Sequence, residues 1–133
     1  MTKNQLLKIV CVLLLSLTFA ACTSQEVKTI KESHMDMCPE KTVGQMVAGF
    51  FGSPSWSSGI SKGNEEIGIP DGVTLVNVKG KITYNDKPVT AVLQFVFSED
   101  GDEYEFYVQA LEMNEIPQDE LMITGLLEKM CEE

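Results

Sequence analysis

Arginine is absent from this sequence, histidine occurs once, and acidic residues outnumber basic ones two to one. All 10 basic residues are lysines, against 20 aspartates and glutamates, which gives a net charge of −10 at pH 7. Nucleic-acid binding needs basic surfaces that neutralise phosphates, so this charge argues against that function. The length of 133 residues and the hydrophobic fraction of 44% allow one modest globular domain and argue against wholesale disorder.

Sequence motifs of common catalytic sites are missing as well. The chain has no Gly-x-Ser-x-Gly nucleophile elbow, no His-Glu-x-x-His zinc motif and no glycine-rich phosphate loop. The single histidine, His34, belongs to none of these patterns. We therefore predict no catalytic residues and no cofactor, and keep an enzyme as the remote alternative.

No hydrophobic run is long enough to form a membrane-spanning helix, which needs about 20 residues. The apolar run at residues 9–17 follows Lys3 and Lys8 and leads to the small residues Ala20 and Ala21. A positive start, a short apolar stretch and small residues at its end are typical of an export signal. Residues 1–21 are therefore predicted to be removed from the mature protein.

The four residues that end this segment, Phe19, Ala20, Ala21 and Cys22, resemble the lipobox of bacterial lipoproteins, Leu-(Ala/Ser/Thr)-(Gly/Ala)-Cys. Three positions match, and Phe19 stands where the family usually has Leu. The resemblance implies that Cys22 is lipidated and anchors the protein to a membrane. In such proteins an Asp directly after the lipidated Cys causes retention at the inner membrane, and this chain has Thr23 there. The resemblance therefore implies a protein anchored to the outer membrane and facing the periplasm of a Gram-negative bacterium. An ordinary secretory signal is the alternative.

Residues 22–37 are polar and show no sustained hydrophobic period, so we predict a flexible tether that leads to a single domain at residues 38–133. Removal of residues 1–21 leaves 8 lysines against 20 acidic residues, a net charge of −12. Anionic lipid headgroups repel such a surface. The lipid, rather than the protein surface, is therefore expected to hold the protein at the membrane.

Two cysteines of the predicted domain, Cys38 and Cys131, are expected to form a disulfide, because the compartment is oxidising. The bridge would close a loop of about 90 residues and stabilise the domain by roughly 4–5 kcal/mol in the chain-entropy model. A metal site and a reactive thiol pair are the alternatives.

A second possible metal site combines an imidazole with sulfur ligands at the end of the predicted tether. His34, Met35, Met37 and Cys38 lie within five residues, and soft ligands of this kind suit Cu(I). The disulfide would remove Cys38 from the set. We keep copper carriage as an alternative function, the simpler interpretation being a chance grouping of methionines near the only histidine.

A helix is predicted at each end of the domain. Thr42 and Gln45 fit a capping box at the start of the first helix, which Gly52 ends. The second helix is predicted to begin near Ile116 and Pro117. Its apolar stripe consists of Ile123, Leu126, Leu127 and Met130.

Alternating hydrophobic residues between the two helices predict strands at residues 76–84, 89–97 and 104–111, with turns at 85–88 and 100–101. Short turns make neighbouring strands antiparallel, so the strands form a meander of three or four members. Residues 61–72 are predicted to be a loop because they contain several glycines and a proline. The predicted fold class is α+β, with both helices on one sheet face.

Four apolar residues are predicted to share the sheet face that the helices leave uncovered: Val92, Val96, Tyr107 and Leu111. An exposed apolar patch with a polar rim can bind a partner. Strand propensity, or coverage by the 61–72 loop, explains the same pattern without binding. We call these four residues the predicted patch.

Trp56, beside the predicted 61–72 loop, is a second binding candidate, with coverage of one end of the core as the simpler interpretation. An acidic cluster, with Asp100 and Glu103 at its centre, lacks the spacing of a calcium-binding EF-hand and is expected to be a solvated hairpin tip. The sequence thus predicts a lipid-anchored adaptor that binds another envelope protein. A carrier of a periplasmic ligand or of copper is the alternative.

Overall fold

The structure, a computed structural model, describes residues 24–64, Glu66 and residues 69–133. The predicted export signal and Cys22, the predicted site of lipidation, lie outside the described residues. The elements in chain order are α1 (Gln25–Glu32), β1 (His34–Met35), β2 (Cys38–Thr42), α2 (Val43–Phe50), β3 (Gly52–Asn64), β4 (Ile69–Tyr84), β5 (Lys87–Asp100), β6 (Glu103–Met113), β7 (Ile116–Pro117) and α3 (Glu120–Glu132).

Five antiparallel strands form the main sheet in the order β3-β4-β5-β6-β7, and β1 and β2 form a separate hairpin. Two-residue turns join β4 to β5, β5 to β6 and β6 to β7. Asn85 and Asp86 both have positive φ angles, 53° and 64°, as a hairpin turn between twisted strands requires. Gly101, with φ 68°, serves the same purpose between β5 and β6. The antiparallel meander and the α+β class are confirmed, but the strands number five rather than three or four.

The predicted loop at residues 61–72 is wrong, because β3 extends to Asn64 and β4 begins at Ile69. The two strands pair beyond the end of β5, down to the pair Asn64 and Ile69. Gly63 and Gly72, both with φ 84°, lie inside the strands near a register shift. A glycine at such an irregularity does not interrupt a strand. The prediction of a loop was wrong because it treated these glycines as the ends of strands.

Helix α1 corrects the prediction of a flexible tether. Ser24 caps this helix by accepting a hydrogen bond from the Val27 N–H, and Ser58 of β3 donates to Glu26 at 2.9 Å. Val27 and Ile30 are 3% and 0% exposed and belong to the core. A helix of eight residues with two buried side chains shows too little periodicity to be recognised, and tertiary packing supplies its stability.

The capping box of the second helix, α2, is confirmed. Gln45 N–H donates to Thr42 Oγ1 at 3.1 Å, and Thr42 N–H donates to Gln45 Oε1 at 2.8 Å. The start of α3 was predicted too early, because Ile116 and Pro117 form β7 and the cap is Asp119. With α1, the structure has three described helices rather than two, and their arrangement differs from the prediction.

A single hydrophobic core contains side chains from all three described helices and from one face of the sheet. Phe95 is fully buried at its centre, with ring centroids 6.2 Å from Trp56 and 6.0 Å from Phe106. The predicted disulfide is present and joins Cys38 of β2 to Cys131 of α3, across a sequence separation of 93. It links the first hairpin to the last helix.

Candidate functional site

The structure divides the predicted patch between the two faces of the sheet. Val96 lies opposite Tyr107, whereas Leu111 lies opposite Leu93, a core residue, and is 1% exposed. A register shift separates these pairs, because Phe95 pairs with Val108 but Gln94 pairs with Ala110. Gln109 is thus an extra residue in β6, and every side chain beyond it points to the other face. The placement of Leu111 with Tyr107 was wrong.

The rest of the predicted patch is also less exposed than expected. Val96 is only 7% exposed, although it lies on the face opposite the core, and Val92 is half-buried. The cross-strand neighbours of Val96 are Leu75 of β4 and Tyr107 of β6. Tyr107 is 53% exposed and is the member of the patch that solvent reaches freely.

Trp56 interacts through its ring with residues of the protein itself. One face stacks on Phe95, and the Nζ atom of Lys31 lies 5.6 Å from the ring centroid. This arrangement fits the simpler interpretation, in which the indole covers the core. It offers no argument for a ligand at Trp56.

The predicted copper ligands, His34, Met35, Met37 and Cys38, have different surroundings in the structure. Cys38 is bonded to Cys131, and Met35 packs against the core, while His34 and Met37 are exposed. A carboxylate oxygen of Glu40 lies within 4.8 Å of both disulfide sulfurs. Because those sulfurs are already bonded to each other, this group does not fit a metal ion in the oxidised protein.

Several of these residues line an open groove of about 800 Å³ beside β6. Its first wall is residues 33–37, its second wall is α3, and its floor and edge are residues 104–109 of β6. The wall residues of α3 are Glu120, Ile123, Thr124 and Leu127. We call this feature the β6 groove. It brings together two sets that the sequence analysis treated separately, the metal candidates His34, Met35 and Met37, and Tyr107 of the predicted patch.

The β6 strand presents an open edge to this groove. It pairs with β5 along its length, but among the described residues β7 reaches only Glu112 and Met113. Asp100 and Glu103 flank a tight turn and so form a pair that exchanges backbone hydrogen bonds. From Glu103 onward, hydrogen-bonded pairs alternate with pairs that exchange no hydrogen bonds. Every second residue, beginning with Tyr104, therefore directs its N–H and C=O groups away from β5. These residues are Tyr104, Phe106 and Val108.

The same alternation agrees with the hydrogen bonds at the other end of β6. After the extra residue Gln109, it directs the carbonyl of Leu111 away from β5, and this carbonyl accepts a hydrogen bond from the Gln118 N–H at 2.9 Å. Sequence reasoning missed the open edge. The available signal was that β6 is the last long strand of the meander and that only a few residues separate it from the final helix.

Acidic and apolar side chains line the β6 groove. Asp36, Glu105 and Glu120 lie along it, and no lysine is among its described lining residues. Tyr104 and Met37 are exposed there in addition to Tyr107. The Tyr104 and Ser33 hydroxyls share a hydrogen bond of 2.7 Å, which holds the first wall beside the strand. The arrangement suits a cationic ligand with apolar groups.

The acidic cluster of the sequence analysis surrounds the turn between β5 and β6. A smaller cavity of about 250 Å³ at this turn is lined by Ser98, Glu99, Asp100, Glu103, Tyr104 and Glu105. The four acidic residues among them are exposed to solvent. Solvation explains these charges without a metal ion.

Within the part of the chain that the structure describes, none of the helices combines the length and the apolar character needed to cross a membrane. Comparison of the chain with protein-family models, curated proteins and solved structures finds no match.

Proposed function

We propose that this protein is a lipid-anchored, non-catalytic adaptor that binds a segment of another envelope protein in the β6 groove. The observation that carries the proposal is the groove itself, which places exposed aromatic and thioether side chains beside an unpaired strand edge. A volume of about 800 Å³ is within the range of known binding sites. Because the groove is open along β6, it suits a stretch of polypeptide.

The anchor remains part of the proposal and rests on the lipobox resemblance at Cys22. Helix α1 begins at Gln25, three residues after Cys22, and a stretch of three residues spans about 10 Å at most. A lipidated Cys22 would therefore hold the folded domain directly against the membrane instead of lifting it away on a tether. The partner that binds in the β6 groove would then be a protein at the membrane surface.

Replacement of Cys22 tests the anchor. The Cys22→Ser variant should no longer be lipidated, and it should leave the membrane fraction or accumulate as unprocessed precursor. Fractionation and mass measurement of the purified chain provide the check, with Cys11→Ser as the control because Cys11 lies within the predicted signal. Normal processing and unchanged membrane attachment of Cys22→Ser would contradict lipidation.

A photo-crosslinking residue placed at Tyr107 tests the groove in living cells. We expect a crosslinked protein of defined mass from position 107, and none from Ile60, an exposed residue that does not line the groove. A second change, Met37→Lys, should abolish this crosslink because it places a positive charge at the first wall, where it repels a cationic segment. Leu121→Lys is the matched control, since Leu121 is exposed and does not line the groove.

The outcome of this experiment decides whether the groove is a binding site. Equal crosslinking from positions 60 and 107 would indicate nonspecific contact. A crosslink from 107 that survives Met37→Lys would place the partner outside the groove. Either result would overturn the proposal.

A further inference from the structure

We infer that the partner segment binds to the open edge of β6 as an added antiparallel strand, and that it alternates apolar and basic residues. This inference rests on the proposed function of the β6 groove and names the chemistry of its ligand. An exposed strand edge is a template for pairing with another chain, and such pairing is a common mode of peptide recognition. Three features of the groove determine what kind of segment fits.

The first feature is the backbone of the edge. Residues 103–108 extend about 20 Å, which matches a ligand of about six residues. Tyr104, Phe106 and Val108 direct their backbone groups away from β5, as derived above. An extended segment can form hydrogen bonds with all three residues without moving β6 from its place in the sheet.

The second feature is the pair of faces that the added strand would share with β6. In antiparallel pairing, directly opposite residues have their side chains on the same face. Ligand residues opposite Phe106 and Val108 would thus point towards the core side, where Ile123 and Leu127 are half-buried. Apolar side chains fit these positions. Ligand residues between them would lie on the other face, next to Glu105 and Tyr107.

The third feature is the charge of the groove. Asp36, Glu105 and Glu120 line it without a lysine among the described lining residues, and the whole chain carries a net charge of −10. Two copies of this chain would repel each other at this edge. Charged residues on an edge strand commonly prevent such self-pairing. The same charges attract a basic segment, so a cationic partner is favoured over a second copy.

A synthetic hexapeptide, acetyl-Lys-Val-Lys-Val-Lys-Val-amide, tests this inference with the full-length protein. Binding is measured by titration calorimetry and compared with the peptide in which every lysine is replaced by glutamate. We expect the lysine peptide to bind with one-to-one stoichiometry and the glutamate peptide not to bind. Absence of binding by the lysine peptide, or equal binding of both, would overturn the inference.

Methylation of backbone nitrogens separates strand pairing from simple charge attraction. In the antiparallel arrangement the valine residues direct their N–H groups to β6, and the lysine residues direct theirs to solvent. Methylation of the valine nitrogens should weaken binding by at least about tenfold, because it removes hydrogen bonds and adds a clash. Methylation of the lysine nitrogens should have little effect. Equal effects of the two sets would rule out strand addition.

A pair of charge reversals in the protein completes the test. Glu105→Lys should weaken binding of the lysine peptide about tenfold, since it replaces attraction by repulsion at the edge. Glu128→Lys makes the same change in net charge on an exposed part of α3 that does not line the groove, and should leave binding nearly unchanged. Equal weakening by both variants would show that only the overall charge matters.

The two proposals fail in distinguishable ways. If the hexapeptide does not bind while the crosslink from position 107 persists in cells, the groove is a binding site but strand addition is wrong. If the crosslink is also absent, the proposed function fails together with this inference.

Discussion

At the scale of single residues, Gln109 determines what β6 presents to solvent. Strict alternation through 104–111 predicts that Tyr107 and Leu111 share a face. The extra residue between them reverses the faces, so that Leu111 enters the core and Ala110 takes the outer position. A bulge also increases local twist and occurs often near functional sites. Here it separates the open part of the β6 edge from the part that β7 covers.

Two alanine substitutions test this assignment. Leu111→Ala should lower the free energy of unfolding by about 2–5 kcal/mol, because it leaves a cavity in the core. Tyr107→Ala should change it by about 0.5 kcal/mol or less, because the ring is largely exposed. Denaturation in urea, followed by circular dichroism, measures both. Similar losses for the two variants would mean that the residues share a face and that the bulge is absent.

At the scale of elements, α1 changes the picture of the N-terminal part of the chain. The helix has its own cap at Ser24, and its two buried residues pack into the same core as α2 and the sheet. Ser33, directly after α1, accepts a backbone hydrogen bond from Val43 N–H at 2.8 Å. Through this bond and the contact of Ser33 with Tyr104, α1 positions the first wall of the β6 groove.

Substitutions within α1 distinguish a packed helix from a tether. Ile30→Ala should lower the free energy of unfolding by about 2–5 kcal/mol, the usual loss for a buried aliphatic side chain. Lys28→Ala serves as the control because Lys28 is exposed on the same helix, and its effect should be close to zero. Thermal or urea unfolding provides the measurement. Two equally stable variants would show that residues 25–32 do not belong to the domain.

At the scale of the whole molecule, the disulfide connects the two walls of the β6 groove. Cys38 directly follows the residues of the first wall, and Cys131 is one turn beyond Leu127 of the second wall. At this end of the domain, β2, α2 and α3 contact one another. A covalent link there limits how far the two walls can separate.

Removal of the disulfide tests how much the bridge stabilises the domain, and thiol labelling tests whether the bridge forms. The double variant Cys38→Ala/Cys131→Ala should lose about 2–5 kcal/mol of unfolding free energy, because the unfolded chain is no longer constrained by a loop of about 90 residues. In the oxidised wild-type protein, thiol labelling should modify neither cysteine until the chain is reduced. Labelling of both cysteines in the native, oxidised protein would show that the bridge does not form.

Patterns of neighbouring residues in the sequence were sufficient to predict the features that depend only on neighbouring residues. The capping box at Thr42, the alternating strands and the tight turn at Asn85 and Asp86 depend on residues a few positions apart, and the sequence alone predicts them. The disulfide was also predictable, because the predicted loss of Cys11 with the export signal and the predicted lipidation of Cys22 leave Cys38 and Cys131 as partners. The α+β class follows from the order of these elements.

Only the tertiary structure decided the features that depend on distant residues. Whether Gln109 is an extra residue depends on the register with β5, and whether residues 25–32 form a helix depends on a core that can bury Val27 and Ile30. The open edge of β6 exists because β7 is two residues long and the chain then leaves the sheet as a helix. Sequence periodicity records which side chains are apolar, but the pairing and packing of distant elements decide which of them solvent reaches.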